Sequence, residues 1–169
     1  DESPVTIADK NTELKIRSMI EKEYPDHGIL GEEFDSINPD AEFIWVIDPI
    51  DGTRSYIAGH KDFGNLISLT QNKKPIIGII NCPAHNERWV GVQNLNSTIN
   101  EKPAKSSNVT NIENAYLFTS GLYFDEPHLR SAVEKINNKV RYFRYGGDCY
   151  MYGMLASGLI DIVIEDTLK

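Results

Sequence analysis

The sequence predicts a layered domain of the α+β or α/β class, and three observations support this prediction. A helix-start motif leads into helical apolar spacing near the N-terminus, β-branched segments separated by turn residues fill the middle, and helix and strand patterns alternate near the end. A chain of 169 residues with 40% hydrophobic residues is long enough for one domain with a sizeable core. Mixed helices and antiparallel strands bury their apolar faces by stacking in layers.

The first predicted elements are a helix over residues 8–24 and a strand over residues 43–47. Thr6 and Asp9 have the spacing of a capping box, and apolar residues follow at helical intervals. The strand segment is continuously β-branched and aromatic, which is typical of a buried strand. Residues 48–53, Asp-Pro-Ile-Asp-Gly-Thr, follow at once, and their proline and glycine are expected to end the strand.

The middle of the chain predicts a β-meander. Residues 63–70 and 75–82, joined by a polar turn, have the pattern of a β-hairpin, and residues 87–92 add a third strand. Residues 97–113 are rich in Ser, Asn and Lys with little apolar pattern, so we expect an edge or loop there.

The last third of the chain predicts two strands and two helices. The strands are expected at residues 117–119 and 159–165, and the helices at residues 126–137 and 149–157. Gly158 is expected to cap the second of these helices.

Composition limits the partners and the compartment. A net charge of −8 repels nucleic acid and anionic membranes, so we expect neither as a partner. The apolar runs are too short to span a bilayer and no leader segment opens the sequence, which predicts a cytoplasmic protein. The four histidines have no zinc-ligand spacing, and neither a nucleotide-binding P-loop nor a serine-esterase elbow is present.

Asp48 and Asp51 are the strongest candidate functional residues. They lie three residues apart on a turn in which Pro49 fixes the backbone and Gly52 allows close approach of a ligand. Carboxylate and carbonyl oxygens are the ligands that Mg2+ prefers, and the Ile50 carbonyl lies between the two acids. The alternative interpretation is a common surface turn with solvated acids.

Glu32 and Glu33 are natural partners of this turn, because they follow a short apolar stretch just upstream in the chain. The acids lack the alternating spacing of an EF-hand, which disfavours a calcium-binding loop.

Residues 45–53 read Trp-Val-Ile-Asp-Pro-Ile-Asp-Gly-Thr and, preceded by Gly-Glu-Glu at residues 31–33, resemble the metal-binding signature of the inositol monophosphatase superfamily. Residues 3–9 resemble the N-terminal Ser-Pro-Val-Thr-x-Ala-Asp motif of that superfamily. Within it, residues 54–59 and 144–150 resemble the histidinol-phosphatase branch more than the inositol branch.

The resemblance implies a fold and an assembly. The expected fold is the α+β layered sandwich of the inositol monophosphatase and fructose-1,6-bisphosphatase type, truncated at both ends. We expect a single phosphatase-like domain, with a metal-binding α+β part at residues 1–115 and the incomplete start of a C-terminal α/β part at residues 116–169. The resemblance also implies a homodimer.

The resemblance further implies Mg2+-dependent hydrolysis of a small alcohol phosphate, with histidinol phosphate as the first candidate and inositol monophosphate as the second. Two or three Mg2+ ions are expected. The implied metal ligands are Glu32, Asp48, the Ile50 carbonyl and Asp51. The implied catalytic residues are Glu32, Thr53 and Asp9. The implied substrate-binding residues are Asp51, Gly52, Thr53, Arg54, Gly146, Gly147, Asp148 and Glu165.

Several alternatives remain open from the sequence alone. Asp9 also fits a surface acid that complements a helix dipole, and Glu165 also fits a solvated acid at a strand end. The superfamily places one more metal-binding aspartate in a Pro-(Trp/Tyr)-Asp motif shortly after the final strand, and this sequence stops before it. The rival hypothesis is therefore a truncated, non-catalytic metal-binding fragment of the same fold.

Overall fold

The computed structural model describes residues 6–121 and 127–166. The motif residues 3–5, residue 126 at the start of a predicted helix, and the last three residues lie outside the described ranges.

A seven-stranded sheet forms the larger part of the molecule. Its strands follow one another in chain order from β1 to β7. The ranges are β1 Gly28–Gly31, β2 Phe43–Asp51, β3 Gly64–Gln71, β4 Lys74–Cys82, β5 Glu87–Val92, β6 Thr98–Ile99 and β7 Lys102–Pro103. Strands β2 to β7 pair antiparallel, which confirms the predicted meander, and β1 pairs parallel with β2.

A smaller, three-stranded sheet follows. Its strands β8 (Tyr116–Thr119), β9 (Tyr142–Tyr145) and β10 (Ile162–Val163) are arranged with β8 in the centre, and both pairings are parallel. The helix α3 (Pro127–Asn137) connects β8 to β9, as parallel strands require a crossover. The division of the chain near residue 115 into two separate units stays a prediction.

Two helices cover opposite faces of the large sheet. Helix α1 (Ile7–Glu23) packs its Ile20 against Ile29 and Ile47. Helix α4 (Asp148–Ala156) packs Cys149 against Cys82 and Trp89. The strand register aligns Ile47 with Val90 across β3 and β4, so these two residues face the same side of the sheet. Trp89 is the neighbour of Val90 in β5 and therefore faces the other side. This arrangement is the layered α+β sandwich that the sequence predicts.

The structure corrects several details of the sequence-based prediction. Strand β2 continues to Asp51 and does not end before Asp48, so both aspartates belong to the strand itself. The final strand is limited to Ile162–Val163 and does not extend over residues 159–165. The short helix α2 (Thr53–Ile57) and the strand β9 were not predicted, because each is too short for a periodic pattern.

Candidate metal and phosphate site

A β-bulge brings the two aspartates of β2 together. Asp48 is aligned with Leu66 and Asp51 with Gly64, so two residues of β2 lie opposite one residue of β3. In a regular strand, side chains three positions apart point to opposite faces, and the extra residue removes that alternation. The Asn65 side chain stabilises the bulge, because its Nδ2 atom donates a hydrogen bond of 2.6 Å to the Pro49 carbonyl.

The Asp48 carboxyl is buried in an unfavourable environment. Its Oδ1 atom is fully buried and has no hydrogen-bond partner among the described residues. Burial, and then the carboxylates of Asp51 and Glu32, raise the pKa of Asp48 to about 8. No ion pair to this carboxyl is found in the described part of the chain.

Asp51 lies in a related environment with one compensating contact. Burial and then the Asp148 carboxylate raise the pKa of Asp51 to about 6. The hydrogen bond from the Cys149 amide lowers this pKa and so acts in the opposite direction. That amide lies 2.5 Å from Asp51 Oδ2, at the start of helix α4. Clustered carboxylates with raised pKa values and an unpartnered oxygen atom are the environment that a bound divalent cation stabilises.

A buried ion pair on α1 holds the segment that carries Glu32. Arg17 Nε lies 2.7 Å from Glu13 Oε1, and both side chains are almost completely buried. Glu13 Oε2 accepts a hydrogen bond of 2.8 Å from the Glu33 amide. Arg17 donates hydrogen bonds of 2.9 and 3.0 Å to the carbonyls of Phe34 and Asp35.

The same segment approaches the ion pair very closely at Gly31. A Cβ atom on this residue would lie 2.0 Å from Glu13 Oε1, so a larger residue would displace the buried carboxylate. Glu13 and Arg17 were not predicted as site supports, although their four-residue spacing on the apolar side of a helix is a usable signal.

Asp9 and Thr53 are brought together from distant parts of the chain. Asp9 is 2% exposed and forms a capping box with Thr6 at the start of α1. The Thr53 hydroxyl lies 3.4 Å from Asp9 Oδ1 and 3.0 Å from the Ile50 carbonyl. Asp9 therefore caps a helix and also contacts a residue of the candidate site, but it is buried and not the surface acid of its alternative interpretation.

The loop before α4 closes over the start of α2. Gly52 has a φ of 78° and precedes α2, and a Cβ atom there would lie 2.9 Å from the Asp148 side chain. Asp148 has a φ of 40°, and its Oδ2 accepts a hydrogen bond of 2.5 Å from the Ser55 hydroxyl. Gly147, with a φ of 122°, allows the sharp entry into the helix.

A cavity of about 710 Å3 opens beside these residues. Arg54, Gly146, Gly147 and Asp148 line it, and their role in substrate binding stays a prediction. Glu165 does not line the cavity, but it accepts two hydrogen bonds of 2.6 Å from Ser120, which does. Among the other predicted substrate residues, Asp51, Gly52 and Thr53 do not line the cavity either.

The bulge and its surroundings present oxygen atoms of the kind that a hard divalent cation prefers. Asp48, Asp51 and Glu32 contribute carboxylates, and the Ile50 carbonyl lies on the same bulge. Among residues 6–121 and 127–166, no group of three or more His, Cys, Asp or Glu side chains is arranged so that it could hold a metal ion. The fit therefore depends on Asp48, whose buried oxygen atom lacks any other partner in that part of the chain. Among the described helices, none is long and apolar enough to cross a membrane.

Comparison with known proteins defines the family. The family model described as "Inositol monophosphatase family" matches residues 1–169. The bifunctional phosphatase IMPL2 of Arabidopsis thaliana is 40% identical over 100% of this chain and 49% of its own length. A histidinol-phosphatase of Chlorobaculum parvum is 34% identical over 100% of this chain and 66% of its own length.

A solved inositol monophosphatase from Zymomonas mobilis superposes with a TM-score of 0.90 at 43% identity, covering 100% of this chain and 65% of that chain. The chain belongs to the inositol monophosphatase family. It spans about half to two thirds of the length of these relatives.

Proposed function

We propose that the protein is a Mg2+-dependent phosphomonoesterase that hydrolyses a small alcohol phosphate. The observation that carries the proposal is the buried Asp48 Oδ1 atom, which has no partner in the described residues and belongs to a carboxyl beside two further carboxylates. A bound cation supplies the missing partner and attracts a phosphate despite the net charge of −8. Family membership supports this class of reaction.

Glu32, Asp48, Asp51 and the Ile50 carbonyl would hold Mg2+. When bound, Mg2+ polarises phosphoryl oxygen atoms and lowers the pKa of a coordinated water. The resemblance to the family leads us to expect two or three bound ions. An IMPase/NADP phosphatase with this fold was solved with Mg2+ and phosphate.

Thr53 is suited to orient the attacking water. Its hydroxyl has one proton, which it donates to the Ile50 carbonyl or to Asp9, and its lone pairs remain free to accept a hydrogen bond. A water that donates one proton to Thr53 and the other to Glu32 directs its own lone pair at the phosphorus atom. Asp9 acts through Thr53, because it lies behind that hydroxyl.

The amides of Gly52 and Thr53 are suited to hold phosphate oxygens at the start of α2, since the left-handed Gly52 turns successive N–H groups toward one point. Arg54, Gly147 and Asp148 would then contact the alcohol part in the cavity, with Glu165 beyond Ser120. Positioning and charge neutralisation provide most of the acceleration in such transfers.

Histidinol phosphate is our first substrate candidate and inositol monophosphate the second. Histidinol phosphate carries a cation that an acid in the cavity can pair with, and Asp148 is such an acid. The name of one relative, histidinol-phosphatase, supports this order. We also propose a cytoplasmic location and a homodimer.

The test is phosphate release from both substrates by the full gene product, with and without Mg2+. We expect Mg2+-dependent release, faster from histidinol phosphate. Hydrolysis of inositol phosphate alone would reverse the substrate order. Saturable Mg2+ binding without any release would favour the second candidate, a non-catalytic metal-binding module, which the unpartnered Asp48 oxygen atom in the described part of the chain also supports.

A further inference from the structure

Asp62 is an acid in the cavity wall that has no role in the mechanism above. It lies between α2 and β3, and its side chain is 22% exposed. The cavity wall also contains Asp148, at the start of α4. Which of these two acids is available to a ligand depends on the groups that each already contacts.

A rigid set of rings orients Asp62. His85 Nε2 lies 2.9 Å from Asp62 Oδ1, and because a carboxylate only accepts, the imidazole donates this hydrogen bond. The His85 ring stacks on Tyr150 with centroids 4.0 Å apart and planes at 15°. Tyr150 in turn packs edge-on against the buried Trp89. The carboxylate is therefore positioned by groups anchored in the core.

Asp62 keeps free capacity to accept hydrogen bonds. The second imidazole near it, His60, has its Nδ1 atom 3.6 Å from Oδ2, which is too long for a hydrogen bond, and its side chain is 70% exposed. No Lys or Arg nitrogen of the described residues lies within 4.0 Å of the carboxylate. A carboxylate has about four acceptor positions, and His85 uses one of them.

Asp148 is already committed to a contact inside the protein. Its Oδ2 atom accepts the 2.5 Å hydrogen bond from Ser55, and its side chain lies against Gly52. Asp62 is thus a second acid in the cavity wall, beside Asp148, that can pair with a cationic group of a ligand.

Asp62 is also close to the candidate metal ligands. The Cys149 amide donates to Asp51 Oδ2 at 2.5 Å, and the Cys149 thiol donates to the Asp62 carbonyl at 3.7 Å. Cys149 therefore contacts both the Asp62 backbone and the Asp51 carboxylate, which is a candidate metal ligand. The cavity that Asp62 lines therefore lies next to the start of α4, whose Cys149 amide contacts Asp51.

We propose that Asp62 is a specificity-determining residue that accepts a hydrogen bond from the ammonium or imidazolium group of an aminoalcohol phosphate. This inference depends on the proposed phosphatase function and names the class of alcohol that the site prefers. The alternative role is structural, in which Asp62 only ties the loop after α2 to the turn that carries His85.

The experiment compares a cationic with an uncharged alcohol. Binding of histidinol phosphate and of inositol 1-phosphate to the full gene product with Mg2+ is measured as KM, beside kcat, from initial rates of phosphate release for wild type, Asp62→Asn and Asp40→Asn. Asparagine keeps an oxygen acceptor for His85 and removes the charge. Asp40 is an exposed acid in the loop before β2, at the opposite end of that strand from Asp51, so it is the matched control.

We expect Asp62→Asn to weaken histidinol phosphate binding by about tenfold to a hundredfold, because a charge-assisted hydrogen bond is lost. Binding of inositol 1-phosphate should change by less than about twofold, which is small beside that loss. His85→Phe keeps the ring stacking but removes the hydrogen bond, and should give a smaller loss with the same selectivity. Asp40→Asn should leave both affinities unchanged.

Equal losses for both ligands, or no loss for either, would overturn the recognition role of Asp62. Wild-type protein that binds neither ligand in the presence of Mg2+ would overturn the proposed function itself, and this inference with it. The two failures are distinguishable because the first appears only in the variant and the second already in the wild type.

Discussion

The buried pair of Glu13 and Arg17 offers a direct test of how the site is built. Arg17→Met removes the guanidinium and keeps an apolar stem of similar length. The substitution breaks an ion pair of 2.7 Å between almost fully buried side chains and two hydrogen bonds to the segment after Glu33. Because Glu13 then stays buried without its cation, we expect a loss of about 3–5 kcal/mol in the free energy of unfolding.

The assay is urea unfolding at neutral pH, with a control that the chain itself provides. Arg130 and Glu134 form an Arg–Glu pair of the same kind, four residues apart in a helix, but at 3.5 Å and more than half exposed. Arg130→Met should therefore cost only about 0.3–0.5 kcal/mol.

The double variant Glu13→Gln with Arg17→Met should be more stable than Arg17→Met alone. No unpaired charge then remains buried, and the carbonyl oxygen of the introduced glutamine can still accept from the Glu33 amide. A loss below about 1 kcal/mol for Arg17→Met would refute this reasoning, because the pair would then contribute no more than an exposed one.

Three further predictions concern the carboxylates and the packing around them. In metal-free protein, the raised pKa of Asp48 means that the folded state binds its proton more tightly than the unfolded state does. The free energy of unfolding should therefore fall as the pH rises from about 4 to about 8. Chemical unfolding at several pH values checks this. Added Mg2+ should remove most of that decline; an unchanged decline would contradict the prediction. Ser55→Ala should lower the free energy of unfolding by about 1–3 kcal/mol in thermal unfolding, because the Asp148 carboxylate loses the hydrogen bond from the Ser55 hydroxyl. A change as small as that caused by Ser36→Ala, at an exposed position, would contradict this prediction. Gly153→Ala should destabilise by about 1–3 kcal/mol, since a Cβ atom would lie 2.7 Å from the Trp89 ring, whereas Gly78→Ala meets no atom within 4 Å and should be nearly neutral in the same assay.

Much of the fold could be predicted because its main elements are long and strongly patterned. Helix α1 was expected at residues 8–24 and is found at Ile7–Glu23, since a capping box marks its start. The meander followed from β-branched runs and a polar turn. The bulge in β2 could not be predicted, because proline and glycine signal a strand end equally well and the pairing with Gly64 decides between the two.

The candidate site was predicted because Asp48 and Asp51 belong to one contiguous motif. The hydrogen bonds that hold the surrounding side chains were not predicted, because they join residues that are distant in the sequence. Asp48 and Asp51 are three residues apart in the sequence, so one turn was enough to suggest a site. The Ser55–Asp148 hydrogen bond joins residues 93 positions apart, and the Asp62–His85 contact joins residues 23 positions apart. Such contacts depend on tertiary packing, which no local pattern encodes.

A calorimetric titration of Mg2+ into wild-type protein and into the Asp48→Asn variant tests whether the buried Asp48 oxygen atom is a metal ligand. We predict saturable binding to the wild type and a loss of at least about tenfold in affinity in the variant, because an amide replaces the charged ligand. Equal affinity in both proteins would contradict the account, because Asp48 would then not hold the ion.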